Sequence, residues 1–168
     1  MTVIQARGQI SFRPTQDSDR DFLLGVYAGS REWERQTATW TDADWQDFVA
    51  GQFKLQDQAY RMTYLGASFT IIEMDGVAIG RLYADRQSDC LRIIEFSIAP
   101  QWQGRGIGTD ILRSLINEAH GGKVPVRLSV QKGSPALRLY QRHGFEMVQD
   151  LGQHFEMKWT PATGPREI

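Results

Sequence analysis

The amino-acid sequence predicts a mixed α/β domain. Three observations lead there. Apolar residues recur at helical spacing in the first third, the period falls to two in the middle, and only then do strands and helices alternate. The resulting order, β-α-α-β-β-β-α-β-α-β-β, holds too few βαβ units for a doubly wound sheet.

Ile10 to Arg13 read as a short first strand, stopped by Pro14. Capping residues then open a helix carrying Phe22, Leu23, Val26 and Tyr27 on one face. A second helix is expected from Thr41, whose hydroxyl precedes an acidic residue three positions on; it carries Trp45, Phe48, Val49 and Phe53. SFTIIEM and VAIGRLYADR, joined by Asp75-Gly76, read as a β-hairpin with a two-residue turn. CLRIIEFSI is the next strand. The glycine-rich WQGRGIG leads into an amphipathic helix, TDILRSLINEAH, closed by Gly121-Gly122. PVRLSV is a strand, and Ser134-Pro135 opens the helix ALRLYQRH, ended by Gly144. FEMV and HFEMKW are the last strands. Residues 1–160 read as one domain, and the Pro/Gly-containing tail, 161–168, as flexible.

The 168 residues suffice for one hydrophobic core, and 41% hydrophobic with 23% charged residues is an ordinary globular balance. Nineteen basic against twenty acidic residues leave a charge of −1, so no broad basic field exists to hold nucleic acid. The single cysteine, Cys90, permits no internal disulfide. No stretch approaches the roughly 18 apolar residues of a membrane span, and the first residues lack a signal peptide's apolar core. The expectation is a cytoplasmic protein, monomer or homodimer, with no nucleic-acid or membrane partner.

Gln103-Gly104-Arg105-Gly106-Ile107-Gly108 lies between a strand and a helix. Glycines let the backbone approach a ligand closely, and the helix start offers unpaired N–H groups to phosphate oxygens. A P-loop is excluded because no lysine precedes Thr109, and a dinucleotide fingerprint because its third glycine would fall at Thr109. The loop resembles the Gln/Arg-x-x-Gly-x-Gly/Ala signature of the GNAT (GCN5-related N-acetyltransferase) superfamily. SPALRLYQRHGF resembles that superfamily's Asn-Pro-Ala…Leu-Tyr…Gly-Phe stretch, with Ser134, preceded by Gly133, where relatives often carry Asn. The similarity runs from about Phe69 to Trp159.

The resemblance implies a mostly antiparallel, twisted sheet of six to seven strands, splayed at the cofactor site and flanked by about four helices. It implies acetyl-CoA as acyl donor, a small-molecule or peptide amine as acceptor, no metal, and direct attack in a ternary complex. Phe96, Ser97 and Ile98, at a strand bulge, together with Gln103 to Thr109 and Ser134, would hold the donor. Tyr140 would protonate the departing thiolate; the alternative is a tyrosine packed on the sheet. Glu95 is the candidate base, with a structural ion pair to Arg92 or Arg81, or acceptor binding, as alternatives. His154 could act through water, or no base is needed. Arg105, Lys132, Arg138 and Arg142 offer charge near the CoA phosphates, or are solvated. Trp33, Trp40, Trp45, Tyr60 and Tyr64 belong to the core, or one or two of them, Trp33 and Trp40 foremost, line the acceptor site. Cys90 has no histidine near it in sequence and carries no nucleophilic role. A non-catalytic acyl-CoA-binding module is the rival reading.

Overall fold

The computed structural model describes residues 8–162 and the two-residue strand β1, Ile4–Gln5. The tail expected to be flexible lies, from residue 163, outside the described residues. Among these residues the sheet has eight strands in the order β1-β2-β3-β4-β5-β6-β8-β7. They are β2 (Gln9–Pro14), β3 (Ser68–Met74), β4 (Val77–Arg86), β5 (Leu91–Ile98), β6 (Val126–Gln131), β7 (Glu146–Asp150) and β8 (His154–Trp159), beside β1. All pairings are antiparallel except β5 with β6. The eighth strand is β1, too short to show any period.

The helices are α1 (Arg20–Ser30), α2 (Glu32–Arg35), α3 (Asp42–Thr63), α4 (Ile107–Gly121) and α5 (Ala136–Arg142). Thr41 caps α3, its hydroxyl accepting from the Asp44 amide at 3.1 Å. α2 is a single turn between α1 and α3, with no apolar period of its own. α4 starts at Ile107, two residues before the expected Thr109, so the glycine loop is partly helix. Asp75 (φ 50) and Gly76 (φ 83) form the β3–β4 turn with both residues left-handed, as a tight hairpin requires.

Strand alternation divides the apolar residues into two clusters. Ile72, Leu82, Ala84 and Ile93 pack with Ile107, Ile111, Leu112 and Leu115 of α4, and Tyr140 and Phe145 join them. On the opposite face Ile71 packs with Leu23, Tyr27, Trp45, Val49 and Phe53 of α1 and α3. Arg13 ties the first strands to the helical layer: it forks onto Asp19 at 2.8 Å twice and donates to Glu73 at 3.1 Å.

Two consequences for stability follow. A Cβ on buried Gly80 would stand 2.3 Å from the Ser97 carbonyl oxygen and 3.1 Å from Ile98 Cα, both backbone of β5. Gly80→Ala should therefore destabilise by about 1–3 kcal/mol, a fall in Tm of roughly 2–12 °C by calorimetry. The Arg13 guanidinium, chiefly through its hydrogen bonds, holds the Asp19 carboxyl below the usual carboxylate range. A lowered folded pKa means the pair stabilises fully above the unfolded value, about pH 4, and fades as the pH falls through the folded value. Asp19→Asn should cost about 1.5–3 kcal/mol at pH 7. In urea unfolding the gap to the parent should close as the pH is taken below about 4.

Candidate active site

β5 and β6 pair only at Leu91–Val126, Arg92–Arg127 and Ile93–Leu128. Beyond Ile93 the strands part, and Ile94 to Ile98 on one side and Ser129 to Gln131 on the other line one cleft of about 1160 Å³. The parting coincides with a bulge. Tyr83 opposes Glu95 while Ala84 opposes Ile93, so Ile94 is the extra residue on β5. This corrects the expectation of a bulge at Phe96 to Ile98. Those three residues pair regularly with Leu82, Arg81 and Gly80, and they line the cleft.

The β5–α4 connection closes one end of the cleft. A 3-10 turn, Pro100–Trp102, leads into the loop, and the Gln103 side-chain amide donates to the Ile98 carbonyl at 2.8 Å. Gly104 (φ 74) and Gly106 (φ 78) are left-handed, with no atom within 4 Å of where a Cβ would stand. The space over both glycines is open, and the first turn of α4 carries N–H groups without intrahelical partners. An anionic group fits this cradle. Gln103, Gly104, Gly106, Ile107, Gly108 and Thr109 line the cleft, whereas Arg105 turns back onto the Gln101 carbonyl (3.1 Å) and the Trp102 ring.

Glu95 lines the cleft. Its Oε1 accepts from the Tyr60 hydroxyl at 2.8 Å, and Oε2 lies 3.4 Å from Nη2 of Arg81. Of the partners considered for Glu95, Arg81 is the one the fold supplies; Arg92 instead forks onto Glu156 at 2.7 and 3.1 Å. Arg81 is wholly buried among the rings of Tyr27, Phe53 and Tyr83, and its Nη2 also donates to Gln56 at 3.2 Å. Burial pulls the guanidinium toward neutrality, but Glu95 and the neighbouring phenols outweigh it and hold its pKa raised. Partial burial first, and the Glu95 charge second, hold the Tyr60 phenol well above its ordinary value. Its pairing with Glu95 was missed from sequence. The signal is the helical spacing of Gln52, Gln56 and Tyr60 along α3, continued by Tyr64 at its C-terminal end, all of which line the cleft.

Tyr140 reaches the cleft from α5, where burial first and the Glu95 charge second raise its phenol pKa. The phenol therefore keeps its proton throughout the neutral range. Ser134 also lines the cleft, and its hydroxyl accepts from the amide of Ala136, the first residue of α5, at 3.3 Å. Trp33 and His154 stand on the lining, but Trp40 does not: it packs against Trp45 and Phe48 in the helical cluster. That placement corrects the expectation for Trp40, whose ring packs on the aromatic side chains of α3 instead of on the cleft. Arg142 lines the cleft, while Lys132 is paired with Asp150 at 2.6 Å. Burial raises the Cys90 thiol pKa, against a nucleophilic role. Among the described residues no group of three or more His, Cys, Asp or Glu side chains could hold a metal, and no helix is long and apolar enough to cross a membrane.

Solved structures share this architecture. The PaiA N-acetyltransferase of Thermoplasma acidophilum, solved in complex with coenzyme A, is 18% identical and superposes with a TM-score of 0.65, covering 90% of this chain and 98% of that one. An acetyltransferase from Thermus thermophilus is 17% identical, with a TM-score of 0.64 and coverage of 95% and 99%. The ribosomal-protein-S18-alanine N-acetyltransferase of Escherichia coli is 13% identical, with a TM-score of 0.59 and coverage of 95% and 98%. At these identities the likeness is one of fold. Among curated proteins none matches the chain significantly in sequence. The family model of the acetyltransferase (GNAT) domain matches residues 36–164, a span that runs from before α3 to beyond β8 and holds the parted strands, the glycine turn and α5. The chain belongs to the GNAT acetyltransferase family.

Proposed function

We propose that this protein transfers an acetyl group from acetyl-CoA to a primary amine by direct attack in a ternary complex. One observation carries the reading: the glycine cradle, Tyr140 and the Tyr60–Glu95 pair all face a single cleft of about 1160 Å³. That is more room than the roughly 300–1,000 Å³ of a one-ligand pocket, as two substrates held together require. The coenzyme A bound by the Thermoplasma relative supports the choice of donor.

Acetyl-CoA, when bound, supplies an activated thioester carbonyl. The cradle at Gly104, Gly106 and the start of α4 takes its phosphates. The unpaired ends of β5 and β6 offer ladder groups to an extended amide-bearing arm, as a sheet edge does to an added strand. Once the acceptor has released its ammonium proton to solvent, Glu95, held on one side by Arg81 and Tyr60, accepts a further proton from the neutral amine as its nitrogen bonds the carbonyl carbon. As the C–S bond breaks, the Tyr140 phenol gives its proton to sulfur. The proton taken from the amine returns through solvent to the Tyr140 phenolate, and the count closes. Holding both partners in one cleft replaces a bimolecular encounter.

The test is acetyl-CoA binding by calorimetry combined with thiol release across an amine panel; binding without release with any amine would favour a non-catalytic module. Gly106→Val forces a β-branched residue into the left-handed region, a strain of about 1–2 kcal/mol, and fills the cradle. It should weaken acetyl-CoA binding by roughly tenfold or more while the chain still folds, since the new Cβ meets no neighbour. Tyr140→Phe keeps the ring packed against Phe145 and removes only the hydroxyl. It should lower kcat by about 10²–10⁴-fold with a far smaller change in acetyl-CoA affinity; a kcat within about twofold of the parent would remove the acid role.

A further inference from the structure

We infer that the acceptor is a compact molecule bearing a single ammonium group on an uncharged, partly aromatic body. The inference rests on the transfer proposed above and concerns the acceptor half of the same cleft.

Most of the charged side chains there are paired with one another. Among the described residues Glu95 is the one carboxylate that lines the cleft, and Arg81 and Tyr60 hold it. Arg31 is taken by Glu34 and by the Tyr27 hydroxyl, and Arg92 by Glu156. The remaining lining arginine, Arg142, comes from α5 on the side of Tyr140. The facing wall, α3 and the residue that ends it, is neutral: Gln52, Gln56, Tyr60 and Tyr64 offer amide and phenol groups at every fourth residue, with Leu55 between them. Glu95 can meet one ammonium. A second or third ammonium would lie in the cleft without a counter-charge, and an unpaired charge taken from water is heavily disfavoured. Amide oxygens, phenols and aromatic faces instead suit hydroxyls and rings.

The walls also limit size. Trp33 of α2 reaches across to the β6–α5 loop, where a Cβ on Gly133 would stand 3.1 Å from its ring. The contact exists because residue 133 has no side chain and takes φ 86. A polypeptide laid across the cleft would have to displace this ring, whereas a compact amine would not.

The experiment uses the full chain with coenzyme A present. Dissociation constants are measured for tyramine and 2-phenylethylamine, for spermidine, and for a tetrapeptide amide with uncharged side chains and a free N-terminus; thiol release from acetyl-CoA is followed in parallel. The aromatic monoamines should bind about tenfold tighter than either competitor. Gln52→Glu, which adds a carboxylate to the neutral wall, should narrow the spermidine gap by roughly two- to fivefold. Trp33→Ala should narrow the tetrapeptide gap. Spermidine or the tetrapeptide binding as tightly as the monoamines overturns the inference, and so does failure of both monoamines to bind. Monoamine binding without thiol release leaves the recognition standing and removes the transfer; loss of acetyl-CoA binding removes the donor site alone.

Discussion

Between Ile93 and Glu95 the strand β5 carries one residue more than its partner β4, and most of the cleft follows from that bulge. A strand alternates its side chains between two faces, so one extra residue inverts every position after it. Before the bulge, Leu91 and Ile93 face the cluster under α4 while Arg92 faces the α3 side. After it, Phe96 and Ile98 face the α4 side and Glu95 turns to Arg81 and Tyr60. Without the inversion Glu95 would point into an apolar cluster with no cation in reach, a penalty of several kcal/mol. The pairing of β5 with β6 stops at the same place, so one local irregularity both aims the carboxylate and opens the cleft.

Arg81 is what makes Glu95 tolerable there, and it is held at a cost. Its Nε and Nη1 are buried without hydrogen-bond partners, and the nearest carboxylate oxygen is 3.4 Å away. An ion pair of this kind contributes little net stability, because desolvation offsets most of the attraction. Its value lies in position. The guanidinium is enclosed by three aromatic rings, so Glu95 has a fixed partner on one side and the cleft on the other. The negative charge in turn acts on the two phenols that share the space, adding to the effect of burial on Tyr60 and Tyr140. Residues from α3, β5 and α5 are thereby coupled electrostatically around one void.

Glycine serves this site in two physically different ways. Gly104 and Gly106 are needed for a left-handed backbone and for the emptiness above it, since nothing in the protein occupies the position of their missing Cβ. Gly80 and Gly133 are needed because something does: the β5 backbone against Gly80, the Trp33 ring against Gly133. The first pair keeps space open for a ligand, and the second lets two parts of the protein touch.

Much of this was legible from residues close together in the chain. Asp75-Gly76 named its turn, Thr41 named the start of α3, and the run from Gln103 to Gly108 marked a close-approach loop before a helix. Each is a signal whose whole physics is local: a dihedral only glycine or a short polar residue adopts, a hydroxyl within reach of an amide a turn further on. The bulge at Ile94 was not legible in place, because Ile93, Ile94 and Glu95 suit a regular strand equally well and register is decided by β4 across the ladder. Nor was the choice of Arg81 over Arg92 for Glu95, or of Trp33 over Trp40 for the cleft. The members of each pair are chemically alike and differ only in which face and which neighbour the packed sheet and helices assign them. Chemical type and local turn are properties of the sequence; which carboxylate meets which cation is settled only when strands far apart in the chain align, and that alignment exists in the tertiary structure alone.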